Sequence, residues 1–178
     1  MSILKVARMG HPVLRQKARP IGKQELNDPL VQKLIDDMID TMREYSGIGL
    51  AAPQVHEGLR LFVAHLDHEG RGEGDATALI NPQISVIGSK TVDGWEGCLS
   101  IPDIRGLVSR AFHISVVALD RHGKRIELQA KDFPARVIQH ETDHLDGVLF
   151  LDRMRSFESL AYMEEFSRYH ARQEDDDE

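Results

Sequence analysis

Two histidines four residues apart, His140 and His144, with Glu141 directly after the first, form an HExxH pattern within residues 139–147. On a helix of about 3.6 residues per turn, positions four apart stack on one face, so both imidazoles can reach one metal ion. Glu141 then stands beside that ion, where a carboxylate can take up and return a proton. The flanking residues favour such a helix. Pro134 suits a first turn, Asp132 brings a carboxylate near the positive helix end, and Gly147 falls where a left-handed cap is wanted. At about 100° per residue, Val137, Ile138, His140, Glu141, His144, Leu145 and Val148 share one arc. Arg136, Gln139, Thr142, Asp143 and Asp146 lie opposite, on an expected outer face. A carboxylate on an apolar arc is costly unless something there uses it, and a water activated by a metal would. The competing reading is a chance match between two core histidines, which leaves Glu141 without a purpose.

Two histidines do not complete a catalytic site, because such sites take three protein ligands and keep a fourth position open. A metzincin would place a histidine six residues after His144; Gly147 fits that longer pattern, but the position holds Phe150. A zinc endoprotease could use a downstream glutamate, Glu158, Glu164 or Glu165. The other candidate is Cys98, within the run WEGCLSIP at 95–102. As a thiolate it would bind strongly and be held deprotonated by the ion. A nucleophilic Cys98 would waste the paired histidines, and a purely structural metal site would want a fourth protein ligand and leave Glu141 idle.

The elements that must position these groups are partly legible. A short helix is expected near His11 and Pro12, with His11 as a capping or surface residue. A longer one follows Asn27, Asp28 and Pro29, with Leu30, Leu34, Ile35, Met38, Ile39 and Met42 spaced for one buried face, and stops around Tyr45, Ser46 and Gly47. The next segment, GIGLAAPQV at 47–55, is small, apolar and glycine-punctuated, and carries one amide, Gln54. It is no phosphate loop, since no Lys-Ser/Thr pair follows the glycines and it follows a helix rather than a strand. Its small residues suggest a backbone closely approached by another element or a ligand. Strands are expected at 60–66, 78–87, 112–119 and 125–129, with a loop at Gly70, Gly72 and Gly74 and a hairpin turn at 120–124. A last helix is expected from 157 to about 169. The fold class is α+β, with mixed, mainly antiparallel β-sheets packed around a central HExxH helix, and a C-terminal helix.

A chain of 178 residues, 41% hydrophobic and 29% charged, has ordinary globular composition. Residues 1–170 are expected to form a single catalytic domain, followed at 171–178 by an acidic tail without fixed structure. No apolar run approaches membrane-spanning length and the N-terminus lacks a signal-peptide core, so a cytoplasmic location is expected. The single cysteine cannot form an internal disulfide, in keeping with a reducing compartment. Of the net charge of −7, the stretch from Ser156 onward carries −6, from two arginines against eight acidic residues, which leaves the body near −1. The basic residues are scattered among acids, so no nucleic-acid footprint is evident.

Three segments, GIGLAAPQV at 47–55, EGCLS at 96–100 and QHETDHLDG at 139–147, resemble the signature motifs of bacterial peptide deformylases, in that family's order. The likeness runs from the early proline-containing segment to about Arg155. It implies a metal held by Cys98, His140 and His144, with Glu141 as acid/base. Gln54 would be the oxyanion-stabilising amide, assisted by the backbone N–H of Leu99. Gly49 would offer a backbone contact to the substrate, Ile48 and Val137 would line a methionine pocket, and Arg105 would stand near its mouth. Arg136 departs from the apolar residue that some relatives carry there. The implied activity is removal of the formyl group from the N-formylmethionine of nascent chains, with Fe(II) as the expected metal and zinc, nickel or cobalt as substitutes. Some relatives dock on the ribosome through a basic C-terminal helix; the acidity of this C-terminus argues against docking by that helix.

Overall fold

Pro12–Arg15 form a single 3-10 turn, started by His11, whose Nδ1 accepts the Val13 N–H at 3.2 Å. The computed structural model describes residues 2–66 and 76–171; the glycine-rich loop at 70–74 and the tail from 172 lie outside them. A short helix α1 (Lys23–Leu26) leads into α2 (Pro29–Glu44), where Asp28 accepts the Leu30 N–H at 2.8 Å and Pro29 occupies the first turn. Such a start satisfies one N–H that has no partner inside the helix. Ile35, Met38 and Met42 are fully buried, with Leu34 and Ile39 partly buried beside them. Leu30, expected on the same face, is instead 75% exposed. In that first turn the neighbouring Val31 is buried in its place.

The strands are β1 (Gly49–Ala51), β2 (Leu61–Ala64), β3 (Thr77–Val86), β4 (Thr91–Cys98), β5 (Ile101–Ala111), β6 (His113–Leu119), β7 (Arg125–Lys131) and β8 (Ala161–Tyr162). They form a five-stranded sheet in the order β1-β2-β3-β6-β7 and a three-stranded sheet in the order β4-β5-β8. Every pairing between these strands is antiparallel, and the parallel contact is the isolated bridge Arg19–Leu59. In the expected β6–β7 hairpin, Asp120 Oδ1 accepts the N–H groups of His122 and Lys124, and Gly123 takes φ +78°. Sequence reading omitted β1, β4 and β5.

Helix α3 (Asp132–Leu145) carries the HExxH residues and touches β1, β2, β6 and β7 of the large sheet and β5 of the small one. Ala135, Ile138 and Leu145 pack with Phe62, Leu79 and Val116. Most of the face opposite this arc is covered, with Asp146 at its end exposed, which corrects the helical projection. Arg136, expected on the outer face, donates to the carbonyls of Val92, Gly94 and Val108 and to Glu96, while the Gln139 amide is bonded to both backbone groups of Ala111. Asp143 is buried as well. A helix flanked on two sides needs two buried faces, and its second face is polar because it satisfies backbone groups and charges of the β4–β5 hairpin. The helix ends as expected at Gly147 (φ +74°), with Gly147 N–H bonded to His144 O and Val148 N–H to Asp143 O. A Cβ on Gly147 would lie 2.8 Å from the backbone carbonyl of Arg15, so the position is restricted twice over.

The expected helix from 157 to 169 is broken into three parts. A 3-10 turn at Phe157–Ser159, capped by the Ser156 hydroxyl, is followed by β8 and then by α4 (Met163–Tyr169). Pairing of Ala161 and Tyr162 with Arg105 and Ile104 of β5 outweighs local helix propensity there. No helix among the described residues is long and apolar enough to cross a membrane.

Candidate active site

The structure brings together a thiol from the end of β4 and both imidazoles of α3. The ligand atoms of Cys98, His140 and His144 all lie within 4.8 Å of one another, with Cys98 Sγ 3.2 Å from His144 Nε2. Among the described residues no acidic side chain joins this group, and Glu158, Glu164 and Glu165, the endoprotease-type candidates, lie away from it. Phe150, where a metzincin would carry its third histidine, is buried and stacks on the His140 ring with centroids 6.3 Å apart. Burial alone would raise the Cys98 thiol, but the charge of His144 and the hydrogen bonds and charge of the two imidazoles hold it well below its ordinary value. A thiol and two imidazoles, one already oriented from behind, are the donor set that a divalent ion takes as thiolate and neutral nitrogen ligands.

That orientation comes from Glu96, which like Cys98 is buried on β4, on the other side of a break in the β4–β5 register. Its Oε2 lies 2.8 Å from His140 Nδ1, which fixes Nδ1 as the protonated nitrogen and turns Nε2 to the Cys98 side. Burial works against ionised Glu96, yet its hydrogen bonds to Arg110 and His140 keep the carboxyl far below the usual range. Arg110 contributes Nε and Nη2, and Arg136 a further N–H at 2.9 Å. Arg110 also reaches Asp143 at 2.6 Å, and Asp143 is held from its other side by Arg153. Charge thus alternates from buried Glu96 and Arg110 through Asp143 to the half-exposed Arg153, and such pairing is what a buried ion requires if it is to stay ionised. Sequence reading gave no role to Glu96, Arg110 or Asp143. Neither Glu96 nor Arg110 had a spacing signal, since the β4–β5 register is broken between Glu96 and Cys98.

Glu141 is 4% exposed, and its Oε2 has no hydrogen-bond partner among the described residues. Burial pushes its carboxyl up to about 7, against the opposing charges of His140 and His144. The carboxyl rests on the backbone of Gly49, where a Cβ would come within 2.3 Å of Glu141 Oε1. The close approach expected of segment 47–55 is therefore made by the acid itself. Gln54 is buried at the end of that segment. Its Oε1 accepts the Ala51 N–H at 2.8 Å, so Nε2 must face the site, 3.4 Å from Cys98 Sγ and 3.2 Å from Ser100 Oγ.

These groups open onto a cleft of about 690 Å³. Ile48, Gly49, Gln54, Leu99, Arg105, Val137, His140 and Glu141 all border it, which brings every expected catalytic and substrate-contacting residue to one place. His144 lies behind. Trp95, Phe133 and Met163, unforeseen from the sequence, add to the apolar part of the lining.

A thiol and two histidines around one point, with a buried acid and a fixed amide at the head of a peptide-sized cleft, define a metal-dependent amide hydrolase. The sequence model of the polypeptide deformylase family matches residues 3–159. A peptide deformylase of Nostoc sp. is 45% identical over 158 residues, spanning 86% of this chain and 87% of the relative. One from Pseudomonas putida is 42% identical over 163 residues, spanning 89% and 92%. The crystal structure of the Thermotoga maritima peptide deformylase superimposes with a TM-score of 0.80 at 38% identity, covering 88% of this chain and all of that one. A Met-Ala-Ser-bound class I type b peptide deformylase from Acinetobacter baumannii gives 0.80 at 39% identity, covering 86% and 99%. The chain belongs to the polypeptide deformylase family.

Proposed function

We propose that this chain hydrolyses the formyl amide of N-formylmethionyl nascent peptides and releases formate, with one divalent ion held by Cys98, His140 and His144. The observation that carries the reading is the meeting, at one cleft, of that donor set with the buried Glu141 carboxyl, whose Oε2 has no hydrogen-bond partner among the described residues. Fe(II) is the metal proposed, with zinc, nickel or cobalt able to replace it. When bound, the ion supplies Lewis-acid polarisation of the substrate carbonyl and lowers the pKa of water.

The remaining chemistry belongs to the chain. Glu141, poised near neutrality by burial, takes a proton from the attacking water and returns it to the leaving amine. As the formyl oxygen gains negative charge, the Gln54 Nε2–H and the Leu99 N–H stabilise it, each by roughly 3 kcal/mol. The methionine side chain lies against Ile48 and Val137, the peptide backbone runs along Gly49, and Arg105 stands at the mouth. Residues 1–170 act as one catalytic domain in the cytoplasm. The acidic C-terminus does not dock on the ribosome, because the field that attracts basic residues to RNA repels carboxylates. Deleting residues 173–178 should leave turnover of small formyl-peptides unchanged and ribosome co-sedimentation equal or stronger at low salt; lost co-sedimentation would contradict this.

The test is anaerobic purification followed by assay on formyl-Met-Ala-Ser. Formate release without cleavage of internal peptide bonds is expected. Internal cleavage, together with full metal retention in Cys98→Ala, would instead support a zinc endoprotease.

A further inference from the structure

The family match ends at residue 159, yet the chain beyond it reaches the cleft. Strand β8 pairs with β5 in the register Arg105↔Ala161 and Ile104↔Tyr162. Directly paired residues point to the same face of a sheet and successive residues to opposite faces. Ala161 therefore shares the cleft side with Arg105, while Tyr162 shares the far side with Ile104. Met163, the first residue of α4, borders the cleft with Trp95, Pro102 and Arg105. Helix α4 is held in that position by aromatic contacts: the Phe166 and His170 rings each lie 4.9 Å from the ring of Trp95, itself a lining residue. Met163 is partly exposed although its thioether chain is flexible and apolar, the character of a side chain that adapts to variable ligands.

We propose that Ala161–His170, outside the family match, forms a further substrate subsite. Met163, supported by Trp95 and by α4, receives an apolar side chain at the second or third position of the peptide and so favours leucine-like over small polar residues there. The proposal rests on the deformylase reading. Met163 is held between the β8 pairing that precedes it and the tilted contact of Phe166 with Trp95, which keeps the ordering cost low, so apolar contact at the subsite should appear mainly in KM.

Formyl-Met tripeptides carrying Leu, Ser or Glu at position two or three test this with the metal-loaded full chain. At one of these positions Leu should exceed Ser about fivefold in kcat/KM, mostly through KM. The preference should disappear in Met163→Ala and in Phe166→Ala, which undocks α4, and survive in Met163→Leu. Absence of a Leu preference at both positions, or its persistence in Met163→Ala, overturns the proposal. If no formyl-peptide releases formate, the deformylase reading fails separately. The subsite is then read from binding of unformylated Met-Ala-Leu, Met-Leu-Ser and Met-Ala-Ser, followed by the fluorescence of Trp95, the single tryptophan. At least one Leu peptide should bind more tightly than Met-Ala-Ser in the parent chain and lose that advantage in Met163→Ala; equal binding of all three overturns the proposal there.

Discussion

Gln54 and Gly49 border the same cleft, and each has one structural reason to be what it is. Because Ala51 fixes the Gln54 carbonyl oxygen, the amide cannot turn its acceptor towards the developing negative charge. Gln54→Ala should therefore lower kcat about 100-fold with little change in KM, as measured by steady-state formate release. A change confined to KM would show that Gln54 only positions substrate. At Gly49 a Cβ would overlap Glu141 Oε1, so Gly49→Ala must displace the acid rather than the backbone. A shift of about 1 Å in a proton-transfer group costs on the order of 100-fold, and kcat/KM should fall by that factor while metal analysis still finds one ion per chain. The parts given to Gln54 and Gly49 came from the family resemblance, whereas metal-ligand chemistry restricts both type and spacing and is legible directly. HExxH and Cys98 could be read from ligand chemistry, whereas Glu96 and Arg110 serve other side chains and carry no spacing rule of their own.

The β4–β5 hairpin was the main element that sequence reading missed, and its inward residues explain why. Glu96 and Cys98 on β4, and Gly106, Val108 and Arg110 on β5, face the interior, so buried positions hold charge and glycine where periodicity looks for branched apolar residues. By contrast β6 buries Ile114, Val116 and Ala118 in clean alternation and was read correctly. The same hairpin explains the misplaced Arg136: a projection of α3 alone cannot know that a second sheet covers the polar face. The C-terminal segment failed for a related reason, since the β5 edge decides that Ala161 and Tyr162 are extended. Glu96 joins the hairpin to α3, and its replacement tests that junction. Glu96→Gln removes the anion facing buried Arg110 and weakens the hold on His140 Nδ1. Metal affinity should fall about 10- to 100-fold in a chelator competition, and urea unfolding should show a loss of about 3 kcal/mol. Unchanged metal affinity would mean that His140 is oriented by packing against Phe150 alone.

For the whole molecule, the arrangement is two antiparallel sheets with one helix between them, so that the thiol of one sheet edge meets the imidazoles of the helix and the amide at the end of β1. Fold class and the order of the three motifs were accessible from sequence. The cleft was not, because its walls come from segments as far apart as Ile48, Trp95 and Met163, whose meeting depends on the relative placement of both sheets. The central claim is that Glu141 moves the proton while Cys98, His140 and His144 hold the ion. Those duties separate in Glu141→Gln, which keeps the shape of the side chain and removes its proton-carrying group. Metal content and formate release should be measured on the same preparations of the parent chain and this variant, loaded with the same ion. The expected result is equal metal content with turnover lower by about 10³-fold or more. Near-normal turnover at equal metal content would contradict the account.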